Sequence, residues 1–97
     1  MIRSFGDRGT EAIFNGEDTK SARRTCPVQL WPTARRKLAA VNAATSVNDL
    51  RLVPGNRYEP LKGDRKGEHS LRINDQYRVV FRWDAPDADG VVIEDYH

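Results

Sequence analysis

Apolar positions fall into two regimes along this chain, a helical one before about residue 45 and an alternating one after residue 68. Leu30, Ala34, Leu38, Val41 and Ala44 recur at steps of four and three, which is one face of a helix. A proline is tolerated in a first turn, so the helix is predicted to begin near Pro32. That leaves Trp31 just outside it and Arg35, Arg36 and Lys37 mainly on the solvent side. Ser46-Val47-Asn48-Asp49 reads as a cap and a short turn of helix leading to Leu50 and Leu52, closed by Pro54-Gly55-Asn56. From Glu68 to Ile73 the period becomes two, Asn74-Asp75-Gln76 supplies a turn, and Tyr77 to Trp83 alternates again with Tyr77, Val79, Phe81 and Trp83 on one side. This is a β-hairpin. Pro86 to Gly90 is predicted as a second turn, and Val91 to Tyr96 as a third strand.

The N-terminal part is less patterned. Ile2 to Phe5 suits a short strand, and Thr10 to Asn15 a brief helix anchored by Ile13 and Phe14. Gly16 to Arg24 carries no apolar periodicity and is expected to be mobile. Helices first and antiparallel strands afterwards predict an α+β fold, with N-terminal helices packed on one face of a twisted, mainly antiparallel sheet. If Leu71, Ile73, Val79, Phe81, Val91 and Ile93 face the helices, alternation sends Ser70, Arg72, Arg78, Arg82, Glu94 and Tyr96 to the other face. That face is strongly cationic. By the same parity His69 faces the helices, where a hydrogen-bonded structural role is expected.

Ninety-seven residues suit one compact domain, residues 1–97, burying roughly 65% of the unfolded surface. The formal charge is only +2, so the distribution of charge matters more than its total. Most of the basic residues are arginine, whose forked, permanent cation suits phosphate, which favours an anionic partner such as nucleic acid or an acidic protein. A single cysteine, Cys26, excludes an internal disulfide and reads as a small buried side chain. With His69 and His97 it has no metal-ligand spacing, so neither metal nor cofactor is expected. No secretory signal or membrane-spanning run is present, and the expected location is the cytoplasm.

Three segments together carry a resemblance: Tyr58-Glu59-Pro60-Leu61-Lys62-Gly63-Asp64-Arg65, Ser70-Leu71-Arg72-Ile73-Asn74-Asp75-Gln76-Tyr77-Arg78, and Glu94-Asp95-Tyr96-His97. In this order they resemble the HigB branch of the RelE superfamily of toxins. Met1-Ile2-Arg3-Ser4-Phe5 and the Leu38 to Thr45 helix are also similar, whereas Gly16 to Val28 matches poorly. The resemblance implies a compact RelE-like domain, the toxin of a type II toxin-antitoxin system, acting as a ribosome-dependent, metal-independent endoribonuclease on mRNA in the A site. It also implies a helix-turn-helix, HigA-like antitoxin as partner, with operator DNA reached only through it. Two rivals remain: a ParE-like protein that inhibits DNA gyrase without cleaving RNA, and a weakly active or non-catalytic RNA-binding module. ParE-like proteins lack the combination of Arg78 with Asp95-Tyr96-His97.

Metal-free cleavage needs in-line attack of the 2′-hydroxyl on phosphorus, hence a base, an acid and a cation for the phosphorane. Arg78, mid-strand on the polar face, is the candidate cation; the alternative is a surface ion pair with Glu94. Lys62, Arg65, Lys66 and Arg72 are candidate RNA contacts. His97 has an ordinary pKa near 6.5 and suits proton transfer in either direction. Tyr96 suits stacking or a hydrogen bond to phosphate. Alternation places Asp95 on the helix side, so either the last residues bend or Asp95 orients other groups. Glu59 is a candidate base if its pKa is raised, against the pull of Lys62. Some members of the family have histidine at the position of Glu59 and a basic residue near Asn74, groups that could transfer a proton or bind phosphate and that this chain lacks there.

Overall fold

The computed structural model describes residues 1–96, in which four α-helices precede a four-stranded antiparallel sheet. The helices are α1 (Arg8–Phe14), α2 (Lys20–Thr25), α3 (Trp31–Ala43) and α4 (Val47–Arg51). The strands are β1 (Glu59–Pro60), β2 (Glu68–Arg72), β3 (Tyr77–Asp84) and β4 (Asp87–Asp95), in the order β1-β2-β3-β4. The α+β arrangement read from the hydrophobic pattern is the one observed.

Helix α3 carries the expected stripe: Ala34, Leu38, Val41 and the following Ala44 are buried against Leu71, Val79, Phe81, Val91 and Ile93 of the sheet. Trp31 lies inside the helix and is buried, with its indole Nε1 donating to the Cys26 carbonyl at 3.0 Å. The helix therefore starts one residue before Pro32, which costs nothing, because first-turn N–H groups have no intrahelical acceptor. Lys37 departs from the solvent-side expectation: it is 7% exposed, and its Nζ donates to Gly55 O (3.1 Å) and Asn56 Oδ1 (2.8 Å). A lysine stem packs like an aliphatic chain as long as its ammonium finds acceptors. Helix α4 has the expected cap, with Ser46 and Asp49 forming a capping box. Leu50 is buried, but Leu52 is exposed.

Residues 16–24 are held by small side chains. Thr19 Oγ1 caps α2 by accepting from Ala22 N at 3.0 Å, and Ala22 is fully buried. Gly9 of α1 meets α2 so closely that a Cβ there would lie 1.8 Å from Thr25 Oγ1 and 2.5 Å from Ser21 O. The expectation of a mobile segment is thus replaced by a short helix. It rests on backbone approach at Gly9 and Ala22, which leaves no periodic signature of large apolar residues.

The β2–β3 hairpin has the expected turn, with Asn74 Oδ1 accepting from Gln76 N (2.9 Å) and Tyr77 N (2.7 Å). The second turn is tighter than Pro86 to Gly90: Asp84 already pairs with Asp87 and Trp83 with Ala88. Between the pairs Arg82↔Asp89 and Val80↔Val92, β4 holds one extra residue, and Gly90 there has φ +59°. This bulge lets both Ala88 and Val91 reach the core. The predicted Ile2 to Phe5 strand is present as two parallel bridges, Ile2↔Ala88 and Phe5↔Val91. Together with Thr10 Oγ1, which accepts from Ile93 N at 2.9 Å, it covers the outer edge of β4.

Candidate active site

The sheet face turned away from α3 gathers side chains from β2, β3, β4 and the Lys62–Arg65 loop. Ser70, Val80 and Leu61 are buried there, outside the main core cluster. Above them lies a cleft of about 480 Å³ lined by Glu59, Pro60, Leu61, Lys62, Arg65 and Tyr96. Strand β1, which the pattern did not predict, pairs Glu59 with Ser70 and Pro60 with His69 and so fixes one wall.

Arg78 is half-buried next to this cleft. Its Nε donates to Ser70 Oγ at 2.8 Å, its Nη2 donates to the Arg57 carbonyl at 2.6 Å, and its guanidinium lies 5.5 Å from the centre of the Tyr96 ring. Glu94 faces Arg78 in the β3–β4 register, yet its carboxylate binds Arg65. Among the described residues no carboxylate forms an ion pair with Arg78. The surface ion pair with Glu94 is therefore not what holds it. Half-burial draws the Arg78 guanidinium below its ordinary pKa, with Glu59 opposing and Arg72 reinforcing the shift. A guanidinium starts so high that it stays cationic.

Arg65 is arranged differently. Its Nε and Nη2 donate to Glu68 at 3.0 and 3.2 Å, and Nη1 and Nη2 donate to Glu94, the former at 3.0 Å. Bonds from Glu94 and then Glu68 raise its pKa further, and Arg65 in turn lowers that of Glu68. Arg72 donates to the exposed Asp75, whose acidity that contact increases. Lys62 and Lys66 are exposed. Tyr96 donates weakly to Glu59 Oε1 at 3.5 Å, and its backbone N donates to Gln76 O. Asp95 pairs with Tyr77 across the sheet and accepts from Gln76 Nε2 at 3.0 Å, on the side opposite Tyr96, as alternation predicted. His97 lies outside the described residues.

His69 has the structural role expected of it. It shares a hydrogen bond of 2.7 Å with the Tyr58 hydroxyl through Nδ1 and stacks between Tyr58 and Phe81 at 5.8 and 5.6 Å. Burial, and secondarily Arg51, holds it below its ordinary pKa. Cys26 is buried, and desolvation pushes its thiol up to about 11, so it is not a nucleophile.

The site thus combines one held but uncompensated arginine, a lysine, a carboxylate and a tyrosine around a cleft. Over residues 3–97 the sequence also matches the family described as RelE-like toxin of type II toxin-antitoxin system HigB. The chain belongs to that family. It is 40% identical over 96 residues to Toxin HigB-1 of Vibrio cholerae serotype O1, covering 99% of this chain and 94% of that one. It is also 31% identical over 97 residues to Endoribonuclease HigB of Proteus vulgaris, covering all of both chains. Among solved structures, the YoeB dimer from Staphylococcus aureus superposes with a TM-score of 0.60 at 17% identity, over 99% of this chain and 97% of that one. A YoeB-YefM toxin-antitoxin heterotetramer from the same organism superposes at 0.61 and 16% identity, over 100% and 98%. These two similarities establish the RelE-like fold.

Two members of the site were not found from sequence. Ser70 was placed on the correct face, two residues along β2 from Arg72, which faces Arg78, and that diagonal was the only available signal for its bond. The Arg57 carbonyl is a backbone group and leaves no mark in the sequence. Among the described residues no helix is long and apolar enough to cross a membrane.

Proposed function

We propose that this HigB-family chain is a ribosome-dependent endoribonuclease that cuts mRNA in the A site and so arrests translation and growth. The observation that carries the reading is Arg78, a guanidinium fixed by two neutral acceptors, Ser70 Oγ and the Arg57 carbonyl, beside an open cleft. A cation oriented without being neutralised is suited to charge that grows on the phosphorane oxygens. The endoribonuclease name carried by the Proteus vulgaris relative supports the same activity.

In the reaction the 2′-oxygen attacks phosphorus as its proton leaves, and the P–O5′ bond breaks as O5′ gains a proton. Glu59, Tyr96 and His97 supply these proton transfers. Glu59 and Tyr96 line the cleft, and the role of His97 rests on its sequence position after Asp95-Tyr96. Asp95, bound to Gln76 behind the sheet, orients the strand end. Lys62 and Lys66 hold neighbouring phosphates. Arg72 and Arg65 contact RNA only as far as Asp75, Glu68 and Glu94 release them. The partners are a HigA-like helix-turn-helix antitoxin, the ribosome and mRNA; the antitoxin-bound form of the YoeB neighbour supports an antitoxin partner as such.

The test is mRNA cleavage on programmed ribosomes by wild-type protein, by Arg78→Ala and by a variant lacking His97, each first shown to bind antitoxin. Both variants are expected to lose cleavage, Arg78→Ala nearly all of it. Wild-type cutting by Arg78→Ala would overturn the assignment of Arg78, and gyrase inhibition without RNA cleavage would overturn the activity.

A further inference from the structure

Arg78 takes one of its two acceptors from a main-chain carbonyl, and that carbonyl is held in an unusual conformation. Arg57 has φ +43° and ψ +49°, the left-handed region that side chains with a Cβ rarely occupy. Immediately before it, the Pro54–Asn56 turn is pinned from below. Lys37 reaches up from α3 to donate to Gly55 O and Asn56 Oδ1, and the Asn56 amide donates to Leu50 O at 3.0 Å. Lys37 and Asn56 are both buried, at 7% and 3% exposure. Immediately after it, Tyr58 is anchored by His69 and lies under Arg51 at 5.1 Å.

We infer that Lys37 and Asn56 are positioning residues for the cleavage reaction, acting through the Arg57 carbonyl to aim the Arg78 guanidinium. A buried ammonium is costly unless its acceptors are fixed. Here the acceptors belong to the turn that presents the Arg57 carbonyl, so the burial of Lys37 and the aim of Arg78 are one arrangement. An apolar side chain at position 37 fills the same space and leaves Asn56 Oδ1 without its donor. The turn is then free to relax out of the left-handed conformation, and the carbonyl leaves Arg78.

This inference rests on Arg78 being the phosphorane-binding cation, and the experiment separates the two. Lys37→Met is compared with wild type for cleavage on programmed ribosomes, alone and in an Arg78→Lys background. Lys37→Met alone is expected to lower kcat about tenfold with KM within about twofold, and to add less than about twofold once Arg78 is replaced. Arg57→Val and Arg57→Gly delete the same side chain, but only glycine adopts positive φ without strain, so Arg57→Val is expected to lose several-fold more kcat than Arg57→Gly. The 15N spectrum provides a readout independent of catalysis. The Arg78 Nε–H signal, protected by Ser70 in wild type, is expected to broaden in Lys37→Met while the backbone amides of β2 and β3 keep their shifts. Asn56→Ala is expected to act in the same direction, which keeps the test alive if Lys37→Met folds poorly. Unchanged kcat and an unchanged Nε–H signal in Lys37→Met and Asn56→Ala would overturn the inference, as would equal losses with and without Arg78. If Arg78→Lys itself cleaves like wild type, the catalytic reading of Arg78 falls, and the Nε–H signal still decides whether Lys37 aims it.

Discussion

Arg78, on β3, and Arg65, in the loop before β2, reach the same face of one sheet, and their surroundings make them different chemical objects. Arg65 is bracketed by Glu68 and Glu94, so its charge is spent within the fold. Arg78 is also held in place, but by a serine hydroxyl and a peptide carbonyl, and keeps its charge for a ligand. The difference lies in the acceptors. Carboxylates fix an arginine and cancel it, whereas neutral oxygens fix it and leave it cationic. A phosphate arriving at Arg65 must displace two carboxylates; one arriving at Arg78 displaces none among the described residues.

Replacing each arginine by alanine tests that contrast most severely. Arg78→Ala is expected to lower kcat for cleavage by about 10²–10³-fold, the usual consequence of removing one donor to a developing oxyanion. Antitoxin affinity should stay near wild type, and the loss of thermal stability should be modest, since removing the Arg78 side chain opens the buried Ser70 hydroxyl and the Arg57 carbonyl to water. Arg65→Ala is expected to do the opposite. It leaves Glu68 and Glu94 facing each other and should cost on the order of 1–2 kcal/mol in urea unfolding. Adding Glu94→Gln should recover part of that loss. If Arg65→Ala abolishes cleavage without loss of stability, the contrast is wrong.

Lys62 sharpens the comparison from the side of binding. As an exposed cation at the cleft it is expected to act through affinity, so Lys62→Ala should raise KM several-fold with little change in kcat. It should also reduce the salt dependence of binding by about one unit of log-log slope. A fall in kcat alone would move Lys62 into the chemistry.

The smallest expected effect concerns the platform under the Arg57 carbonyl. His69 has a folded pKa below its unfolded value near 6.5 because burial disfavours the imidazolium, so the unfolded chain takes up a proton first as pH falls. Its contribution to stability is complete above about pH 6.5 and is lost as pH falls from there toward the folded pKa. Urea midpoints measured from pH 7 to pH 5 should therefore decline in wild type and flatten in His69→Gln. A decline of the same size in both would assign it to other groups, such as Glu68 and Asp89, whose lowered pKa values place their losses in more acidic solution.

The strands and helix α3 were legible because large apolar residues recur with a clean period where one face is buried, as from Leu71 to Ile93 and from Leu30 to Ala44. The polar face, with Arg78, Arg72, Glu94 and Tyr96 together on it, followed from the same parity. What the pattern missed depends on small residues and on backbone. Helix α2 is held by Gly9 and Ala22, which carry no periodic signal. The turn read at Pro86 to Gly90 is mostly strand, because the N-terminal segment and a Gly90 bulge draw Ala88 into the sheet. Lys37 was read as solvent-facing because sequence spacing gives direction but not the acceptors waiting at Gly55 and Asn56.

The sequence by itself determined the α+β class, the family, the core face and the residue types at the cleft, since these depend on local periodicity and on motifs short enough to be read in order. Only the tertiary structure decided which arginine is free. Glu68 is a near neighbour of Arg65 in sequence, but Glu94 lies 29 residues from Arg65 and the Arg57 carbonyl 21 residues from Arg78. Two arginines that reach the same face, one from β3 and one from the loop before β2, acquire different electrostatic roles because Glu94 and the Arg57 carbonyl reach them only through the fold.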